Sequence, residues 1–217
     1  MFYNTIVVFT VLTEHFSCFF VECAEQSDMK EHSSERFILD FCGYNLKNAA
    51  ENQDKGEVMK IYVRRAVQGD EPRILDILLQ VNNVHAEGRP DIFKKGGRKY
   101  TREQLSMLLV DESRPIFVAI DEESGDILGY GFCAIIDTAE TSNLKPRREL
   151  YIDDLCVDEV YRRNGIGQII FDYIREYAKE IGSYHLTLNV WACNPSAMKF
   201  YEKQGMQMLK KEMEILL

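Results

Sequence analysis

A chain of 217 residues is long enough for one large or two small domains and for a buried core. Its 46% hydrophobic and 28% charged residues are typical of a globular protein and exclude a disordered or fibrous one. The formal net charge of −9 argues against a general nucleic-acid binder, because neutralising phosphates requires a basic face. The same negative charge would attract a cationic partner such as an amine.

The six cysteines predict neither a metal site nor a disulfide framework. They stand at positions 18, 23, 42, 133, 156 and 193, without a Cys-x-x-Cys pair or the Cys/His spacing of zinc sites. We therefore expect reduced thiols, no bound metal and a cytoplasmic location. The first 22 residues are rich in Phe, Val and Thr, but they lack the basic start of a secretory signal, and Glu14 and His15 interrupt the run, so its apolar stretch is too short to span a bilayer. No membrane partner is expected.

The chain changes character at Met59. Residues 1–58 hold 4 Lys and Arg against 10 Asp and Glu, so most of the net charge lies in them, and they show no sustained helical or strand period. The codons that encode residues 55–59 can spell a purine-rich ribosome-binding site before an ATG. One hypothesis is that bacterial translation starts at Met59, which makes residues 1–58 a non-native or disordered extension. The alternative is a genuine N-terminal extension.

Regular elements begin directly after this boundary. A strand is predicted over residues 61–66, followed by a helix that is entered at Asp70 with Pro72 in its first turn, where the missing N–H costs nothing. Thr101 and Gln104 have the spacing of a capping box for a second helix. The loop between the two helices is long, which is typical of a functional region.

Strands dominate the middle of the chain. Residues 116–120 and 127–136 are predicted to pair as a hairpin, because Gly125 between them can take the positive φ of a tight turn. Another strand is predicted over residues 149–157, after a polar stretch.

The last third alternates helices and strands. A glycine turn opens an amphipathic helix, and a strand with alternating polar and apolar residues follows over residues 184–190. A short helix over residues 195–204 and a last strand over residues 206–216 complete the prediction. This order of elements predicts an α+β domain over residues 59–217, built on a mixed sheet flanked by helices.

The turn that precedes the amphipathic helix has the composition of a phosphate site. It reads Arg162-x-x-Gly165-x-Gly167, and glycines let the backbone approach a ligand while the first N–H groups of the helix point at it. The helix dipole and the neighbouring Arg163 add positive potential, so we predict that a pyrophosphate binds here. The pattern is neither a P-loop, since no Gly-Lys-Ser/Thr follows, nor a Rossmann fingerprint, since the third glycine is absent.

Three segments in this order resemble the GNAT superfamily of N-acetyltransferases. They are Tyr-Ile-Asp-Asp-Leu-Cys-Val at residues 151–157, Tyr-Arg-Arg-Asn-Gly-Ile-Gly at residues 161–167, and Asn-Pro-Ser-Ala with Phe-Tyr at residues 194–201 before Gly205. The resemblance spans residues 59–217, and the pattern is most similar to the spermidine/spermine acetyltransferases. It implies a mixed, mostly antiparallel sheet that splays apart between its fourth and fifth strands.

The resemblance also implies how acetyl-CoA would bind. The pantetheine arm would lie in the splayed gap and pair with main-chain groups of Leu155 and Val157. The N–H groups of residues 163–167 would hold the pyrophosphate, and Asn194 would add a contact from the next helix. The expected acetyl-CoA contacts are Leu155, Cys156, Val157, Arg162, Arg163, Asn164, Gly165, Ile166, Gly167 and Asn194.

For the chemistry, the resemblance implies direct attack of a primary amine on acetyl-CoA in a ternary complex, with Tyr201 as general acid. A phenol can donate a proton without being charged at pH 7. A base must take the amine proton, and its candidates are Asp153, Asp154 and Glu149. Strand alternation places Asp153 and Glu149 on one face and Asp154 on the other, unless a bulge shifts the order. The likeness to the spermidine/spermine enzymes favours Asp153.

The acceptor and the assembly stay open. In such enzymes the acceptor is chosen by segments that correspond here to residues 84–99 and 138–148, and their mixed charges fit a small-molecule amine or a protein amine. A non-catalytic acyl-CoA-binding regulatory module is the alternative function. The sequence leaves both a monomer and a homodimer open.

The boundary at Met59 is tested by truncation. If residues 1–58 are not part of the evolved domain, a protein that begins at Met59 will be soluble and monodisperse. It will also bind acetyl-CoA as tightly as the full chain does, as measured by calorimetry. Loss of folding on truncation, or a natively expressed product whose intact mass begins at Met1, would refute the hypothesis.

Overall fold

The computed structural model describes residues 59–217. The hypothesis about residues 1–58 lies outside the described residues. None of the helices in the described part of the chain is long and apolar enough to cross a bilayer.

Five strands and four helices make up the described part, together with a short 3-10 turn after the fourth strand. The strands are β1 (Ile61–Arg65), β2 (Ile116–Asp121), β3 (Ile127–Thr138), β4 (Arg147–Val157) and β5 (His185–Leu188). The helices are α1 (Glu71–Gly88), α2 (Arg102–Leu109), α3 (Ile166–Glu180) and α4 (Pro195–Lys203), and the 3-10 turn is Glu159–Tyr161.

The strands form one sheet in the order β1-β2-β3-β4-β5. Neighbours from β1 to β4 are antiparallel, whereas β4 and β5 are parallel. This confirms the mixed, mostly antiparallel sheet that the sequence predicts. Parallel neighbours require a crossover connection, and α3 supplies it between β4 and β5.

Helices cover both faces of the sheet. On one face, α1 and α2 bury Ile74, Ile77 and Leu105 in a cluster with Tyr130 of β3 and Cys156 of β4. This is the α1–α2 face.

α3 packs on the opposite face over two glycines of β3. A Cβ atom on Gly131 would lie 2.5 Å from Ile174 Cδ1, and one on Gly129 would lie 3.0 Å from Ile170 Cδ1. The glycines therefore let the helix approach the strand closely.

The local signals for turns and helix starts are confirmed. α1 begins directly after Asp70 with Pro72 in its first turn. The Thr101 hydroxyl accepts from the Gln104 N–H while the Gln104 side chain accepts from the Thr101 N–H, which completes the capping box. Gly125 has a φ of 76° in the turn between β2 and β3.

The expectation of a last strand over residues 206–216 is wrong, because within the described residues no strand forms after α4. Residues 206–216 form no hydrogen-bonded ladder with β5, the strand at which the described sheet ends. Large apolar side chains such as Met208, Leu209 and Ile215 are exposed there. The fifth strand is also shorter than predicted, since it spans only His185–Leu188.

The sheet opens between β4 and β5, as predicted. Pairing between the two strands ends at Ile152↔Leu188, whereas β4 continues to Val157. Residues 153–157 therefore have no β5 neighbour in the described part of the chain. We call these five residues the open edge of β4, and the glycine turn follows it directly.

A β-bulge lies at the point where the pairing stops. Phe132 of β3 faces Asp154, and the next residue, Cys133, faces Ile152, so Asp153 is an extra residue on β4.

The bulge corrects the predicted distribution of the acidic residues. Strict alternation would place Asp154 and Glu149 on opposite faces of β4. In the structure, Asp154 pairs with Phe132 and Glu149 pairs with Ile136, and these two partners lie on the same face of β3. Asp154 and Glu149 therefore share the α1–α2 face. A bulge is the exception that the sequence analysis allows to strict alternation, and the structure contains one at Asp153.

Candidate active site

Main-chain groups at the open edge point away from β3. The Asp158 N–H donates to the Leu128 carbonyl at 2.9 Å, in register with the pairing of β3 and β4. Because bonded and non-bonded pairs alternate in an antiparallel ladder, Val157 and Leu155 turn their N–H and C=O groups toward the open side. These are the groups that, by the family resemblance, are expected to pair with pantetheine. Cys156, between them, pairs with β3 and is buried.

One of these outward groups already accepts a hydrogen bond from a side chain of the same protein. The Val157 carbonyl accepts a hydrogen bond from Arg162 Nε at 3.0 Å. A carbonyl oxygen has two lone pairs, so it can accept a second donor. The contact fixes the Arg162 guanidinium where the open edge meets the glycine turn and adds positive charge there.

Two left-handed residues shape the glycine turn. Arg163 has a φ of 71° and Gly165 has a φ of 78°. Asn164 stands between them, and its side-chain amide donates to the Tyr161 carbonyl at 3.2 Å. The left-handed conformation is costly for a residue with a side chain, so the turn is a specifically built feature.

The start of α3 presents amides without helical partners. The Gly165 carbonyl accepts from the N–H groups of Gln168 and Ile169 at 3.0 and 3.2 Å. The N–H groups of Ile166 and Gly167 precede these first helical bonds. A glycine at the cap position supplies no side chain to occupy them, so this end of α3 has the properties of an anion site.

A buried carboxylate ties the glycine turn to α1. The Asp158 residue is 3% exposed, and its carboxylate accepts from Arg73 at 2.6 Å, from Gln80 at 3.2 Å and from the Val160 N–H at 3.0 Å. Burial opposes the ionised form, but these hydrogen bonds outweigh it, so the pKa of Asp158 lies below its usual value. Sequence reasoning missed this group. The signal it left is an Asp directly after a strand end.

Tyr201 is held in a packed aromatic environment on α4. Its ring lies 6.1 Å from the Phe171 ring of α3 and 5.1 Å from the Phe200 ring, between centroids. Burial raises the pKa of Tyr201 above that of free tyrosine, and the charges of Asp154 and Cys156 raise it further. The phenol therefore keeps its proton at neutral pH, and it lies close enough to Asp154 to feel its charge.

Asn194 is the N-cap of the helix that carries Tyr201. Its side-chain oxygen accepts from the Ala197 N–H at 3.1 Å and from the Ser196 hydroxyl at 2.9 Å. Such a cap fixes where the helix begins. The same helix packs on the glycine turn, since a Cβ atom on Gly167 would lie 3.6 Å from the Phe200 ring.

Asp154 and Asp153 have different surroundings. Asp154 accepts a hydrogen bond from the Tyr130 hydroxyl at 3.3 Å, and burial raises the pKa of Asp154 to about 6 against the lowering effect of Lys99. The Asp153 carboxylate accepts from Lys99 Nζ at 2.8 Å. Asp154 can therefore exchange a proton near neutral pH, whereas Asp153 is held in an ion pair.

Glu149, the third candidate base, is engaged by β5. Its carboxylate lies 3.1 Å from His185 Nε2 and accepts a hydrogen bond from the Thr187 hydroxyl. It also belongs to the paired part of β4, before the open edge begins. In the described part of the chain, no group of three or more His, Cys, Asp or Glu side chains is arranged to hold a metal ion.

Aromatic side chains gather beside the end of α1. The His85 and Phe93 rings lie 5.1 Å apart, and the Phe93 and Trp191 rings also lie 5.1 Å apart. Burial and the charge of Lys99 lower the pKa of His85, so the imidazole is neutral at pH 7. Sequence patterns do not single out these three aromatic residues. The loop of residues 84–99 thus contacts the segment after β5 and reaches the acidic pair through Lys99.

Residues 79–206 match a known protein family. The model of the acetyltransferase (GNAT) family matches residues 79–206, more than half of the chain. The chain therefore belongs to the GNAT acetyltransferase family and is an acyltransferase.

Curated relatives agree with this assignment. An uncharacterized N-acetyltransferase of Methanocaldococcus jannaschii is 29% identical over 181 residues, which cover 82% of this chain and 75% of that protein. The probable N-acetyltransferase san of Drosophila melanogaster is 34% identical over 85 residues, or 39% of this chain and 44% of that protein. L-ornithine N5-acetyltransferase of Arabidopsis thaliana is 31% identical over 108 residues, or 50% of this chain and 46% of that protein. The chain thus matches less than half the length of the last two.

Solved structures confirm the GNAT-like fold. A mutant of the BH1408 protein from Bacillus halodurans is 30% identical with a TM-score of 0.69, and the match covers 72% of this chain and 99% of that chain. An aminoglycoside acetyltransferase from an uncultured soil metagenomic sample is 19% identical with a TM-score of 0.54, over 72% of this chain and 95% of that chain. At 19% identity, the likeness to the aminoglycoside acetyltransferase shows the fold alone.

Gly165 tests where the acetyl-CoA phosphates bind. Gly165→Val places a β-branched residue at a φ of 78°, a strain of about 1–3 kcal/mol that lowers stability, and its side chain stands beside the amides at the start of α3. Because the side chain occupies space that the phosphates would need, we expect the affinity for acetyl-CoA, measured by calorimetry, to fall about tenfold or more, which corresponds to about 1.4 kcal/mol.

Gly125→Val is the matched control. Gly125 has a φ of 76°, and a Cβ atom there would meet nothing within 4 Å, so the backbone strain is similar but lies outside the site. Its affinity for acetyl-CoA should equal that of the unmodified protein. Equal losses in the two variants, or no loss in Gly165→Val, would contradict this placement of the phosphates.

Proposed function

We propose that this acyltransferase is an acetyl-CoA-dependent N-acetyltransferase that moves the acetyl group to a primary amine by direct attack in a ternary complex. The observation that carries the proposal is the open edge of β4. Leu155 and Val157 turn main-chain groups outward from it, the glycine turn follows at one end, and Asp154 lies at the other. A pantetheine arm with a pyrophosphate at one end and a thioester at the other requires this order of partners.

The predicted acetyl-CoA contacts belong to this proposal, except for Cys156, whose main chain pairs with β3. Leu155 and Val157 would bond to the pantetheine amides, Arg162 and the amides of residues 163–167 would bind the pyrophosphate, and Asn194 would add a contact from α4. Bound acetyl-CoA supplies an activated thioester. The remaining chemistry is proton transfer, and the chain's own residues carry it.

Asp154 is our proposed base. The acceptor arrives as an ammonium ion and must lose a proton before its nitrogen bonds to the acetyl carbon. A base works best when its pKa lies near the working pH, and burial raises the pKa of Asp154 to about 6. Asp153, which the family resemblance favours, is the adjacent carboxylate, and its ion pair with Lys99 suits it to anchoring the ammonium group. The contrasting surroundings of the two carboxylates support a base role for Asp154 and an anchoring role for Asp153.

Tyr201 is the proposed acid. When the C–S bond breaks, the departing thiolate gains a proton, and a neutral phenol can provide it. The raised pKa of Tyr201 keeps that proton in place until it is needed. Phe200 of the same helix packs against the glycine turn, and this contact fixes the position of Tyr201 relative to the phosphate site.

A primary alkylamine is the proposed acceptor. The Arabidopsis relative is named for acetylation of the N5 amine of L-ornithine, which is such an amine. The acidic pair and the net charge of −9 also favour a cationic acceptor. The similarity to spermidine/spermine acetyltransferases and the cytoplasmic location remain parts of the proposal, which is compatible with a monomer and with a homodimer.

The function is tested by following free thiol release from acetyl-CoA across a panel of primary amines. We expect release that depends on both the enzyme and the amine, with formation of the acetylated amine seen by mass spectrometry. If the protein binds acetyl-CoA but acetylates no amine, the non-catalytic acyl-CoA-binding module replaces the proposal.

Tyr201→Phe separates catalysis from packing. The substitution keeps the ring and removes only the hydroxyl, so it opens no large cavity. We expect turnover to fall roughly 100-fold, a usual contribution of a general acid, with acetyl-CoA affinity nearly unchanged. The matched control is Tyr184→Phe, at a tyrosine that is 77% exposed, and it should keep full turnover. Normal turnover in Tyr201→Phe, with chemistry shown to limit the rate, would return Tyr201 to a packing role.

The acidic pair is tested by the pH dependence of kcat/KM. Only the ionised form of Asp154 can take a proton, so kcat/KM should rise with pH and level off above about 6. The charged and titratable groups that interact electrostatically with Asp154 include Lys99, Asp153, Tyr100, Tyr130, Cys156 and Tyr201.

Paired asparagine variants then assign the base. Asp154→Asn should lose about 100-fold or more in turnover, whereas Asp153→Asn should keep most of its turnover and raise the KM for the amine. The reverse result, in which Asp153→Asn is inactive and Asp154→Asn retains turnover, would make Asp153 the base.

A further inference from the structure

A lysine of the chain itself lies at the acidic pair. Lys99 belongs to the connection between α1 and α2, and its Nζ atom is 2.8 Å from Asp153 Oδ2. The same Nζ atom lies 5.6 Å from the centre of the Tyr100 ring. A primary ammonium group on an unbranched alkyl chain therefore already sits where the proposed acceptor would place its own.

The charge of Lys99 is retained at this position. Burial opposes the ammonium form, but the carboxylates of Asp154 and Asp153 outweigh it, so the pKa of Lys99 lies above its usual value. The lysine therefore compensates part of the negative charge that would otherwise attract a cation. Any cationic acceptor must compete with it for Asp153.

The backbone next to Lys99 is anchored by aromatic packing, whereas the ion pair of its side chain is partly exposed. Tyr100 stacks on Phe132 with centroids 5.9 Å apart, and Phe132 in turn packs edge-to-face on Tyr130 at 5.1 Å. The side chains of Lys99 and Asp153 remain 38% and 36% exposed. An ion pair between partly exposed side chains contributes little to stability, so another ammonium ion can replace Lys99 on Asp153.

We propose that Lys99 occupies the acceptor's ammonium position on Asp153 and is displaced when a primary alkylamine binds. This inference rests on the proposed function and deepens it, because it makes Lys99 a specificity-determining residue. It favours acceptors whose ammonium group is carried on an unbranched alkyl chain like that of lysine. If Lys99 instead bound an anionic group of the acceptor, removal of its charge would weaken acceptor binding; the proposal predicts tighter binding.

The test measures the binding of n-butylamine by calorimetry in the presence of CoA, which lacks an acetyl group and allows no turnover. Lys99→Met removes the charge and keeps most of the aliphatic stem, so the amine should bind about two- to fivefold more tightly, the usual effect of an exposed ion pair. Lys99→Gln should act in the same direction, which guards against a folding defect in one variant. Lys99→Arg keeps the charge and should restore the original affinity.

Two further variants locate the effect. Lys95→Met removes an exposed lysine of the same loop and should leave the affinity for n-butylamine unchanged. Asp153→Asn should weaken binding, because it removes the carboxylate for which the two ammonium groups compete.

The outcomes separate this inference from the proposed function. Unchanged or weaker binding of n-butylamine in folded Lys99→Met and Lys99→Gln would overturn the inference, even if the unmodified protein acetylates amines. Tighter binding in both variants, with no acetylation of any amine by the unmodified protein, would support the cation site and overturn the proposed function alone.

Discussion

The hydrogen bonding between β4 and β5 stops at Ile152↔Leu188, although β4 continues to Val157. The bulge at Asp153 lies at the same point, and the rest of the site depends on this interruption. It leaves outward main-chain groups at Leu155 and Val157 for an extended ligand. It also turns Asp154 onto the α1–α2 face, where burial raises the pKa of its carboxyl group to about 6.

Elements remote in sequence are brought to this opening by a few contacts. Asp158 binds Arg73 and Gln80, so α1, which precedes the acceptor loop, is fixed to the end of β4. α4 packs through Phe200 on the glycine turn, which positions Tyr201. A change in α1 should therefore be felt at the glycine turn, because the buried Asp158 carboxylate needs both of its α1 donors.

Local sequence signals predicted much of the fold because they act over a few residues. The capping box of Thr101, the turn at Gly125 and the glycine turn before α3 depend on backbone chemistry at single positions. The bulge at Asp153 could only be named as an exception, since it depends on pairing with β3. The missing strand at residues 206–216 likewise depends on whether a neighbouring strand is available. The contacts of Lys99 and Asp158 join residues more than 50 positions apart, and no local pattern encodes them.

If acetyl-CoA lies along the open edge of β4, amide hydrogen exchange measured residue by residue will detect it there. Addition of acetyl-CoA should slow exchange at the outward amides of Leu155 and Val157. The amide of Cys156 faces β3 and should change little, so it is an internal control. Unchanged exchange at Leu155 and Val157 while acetyl-CoA is demonstrably bound would contradict the account.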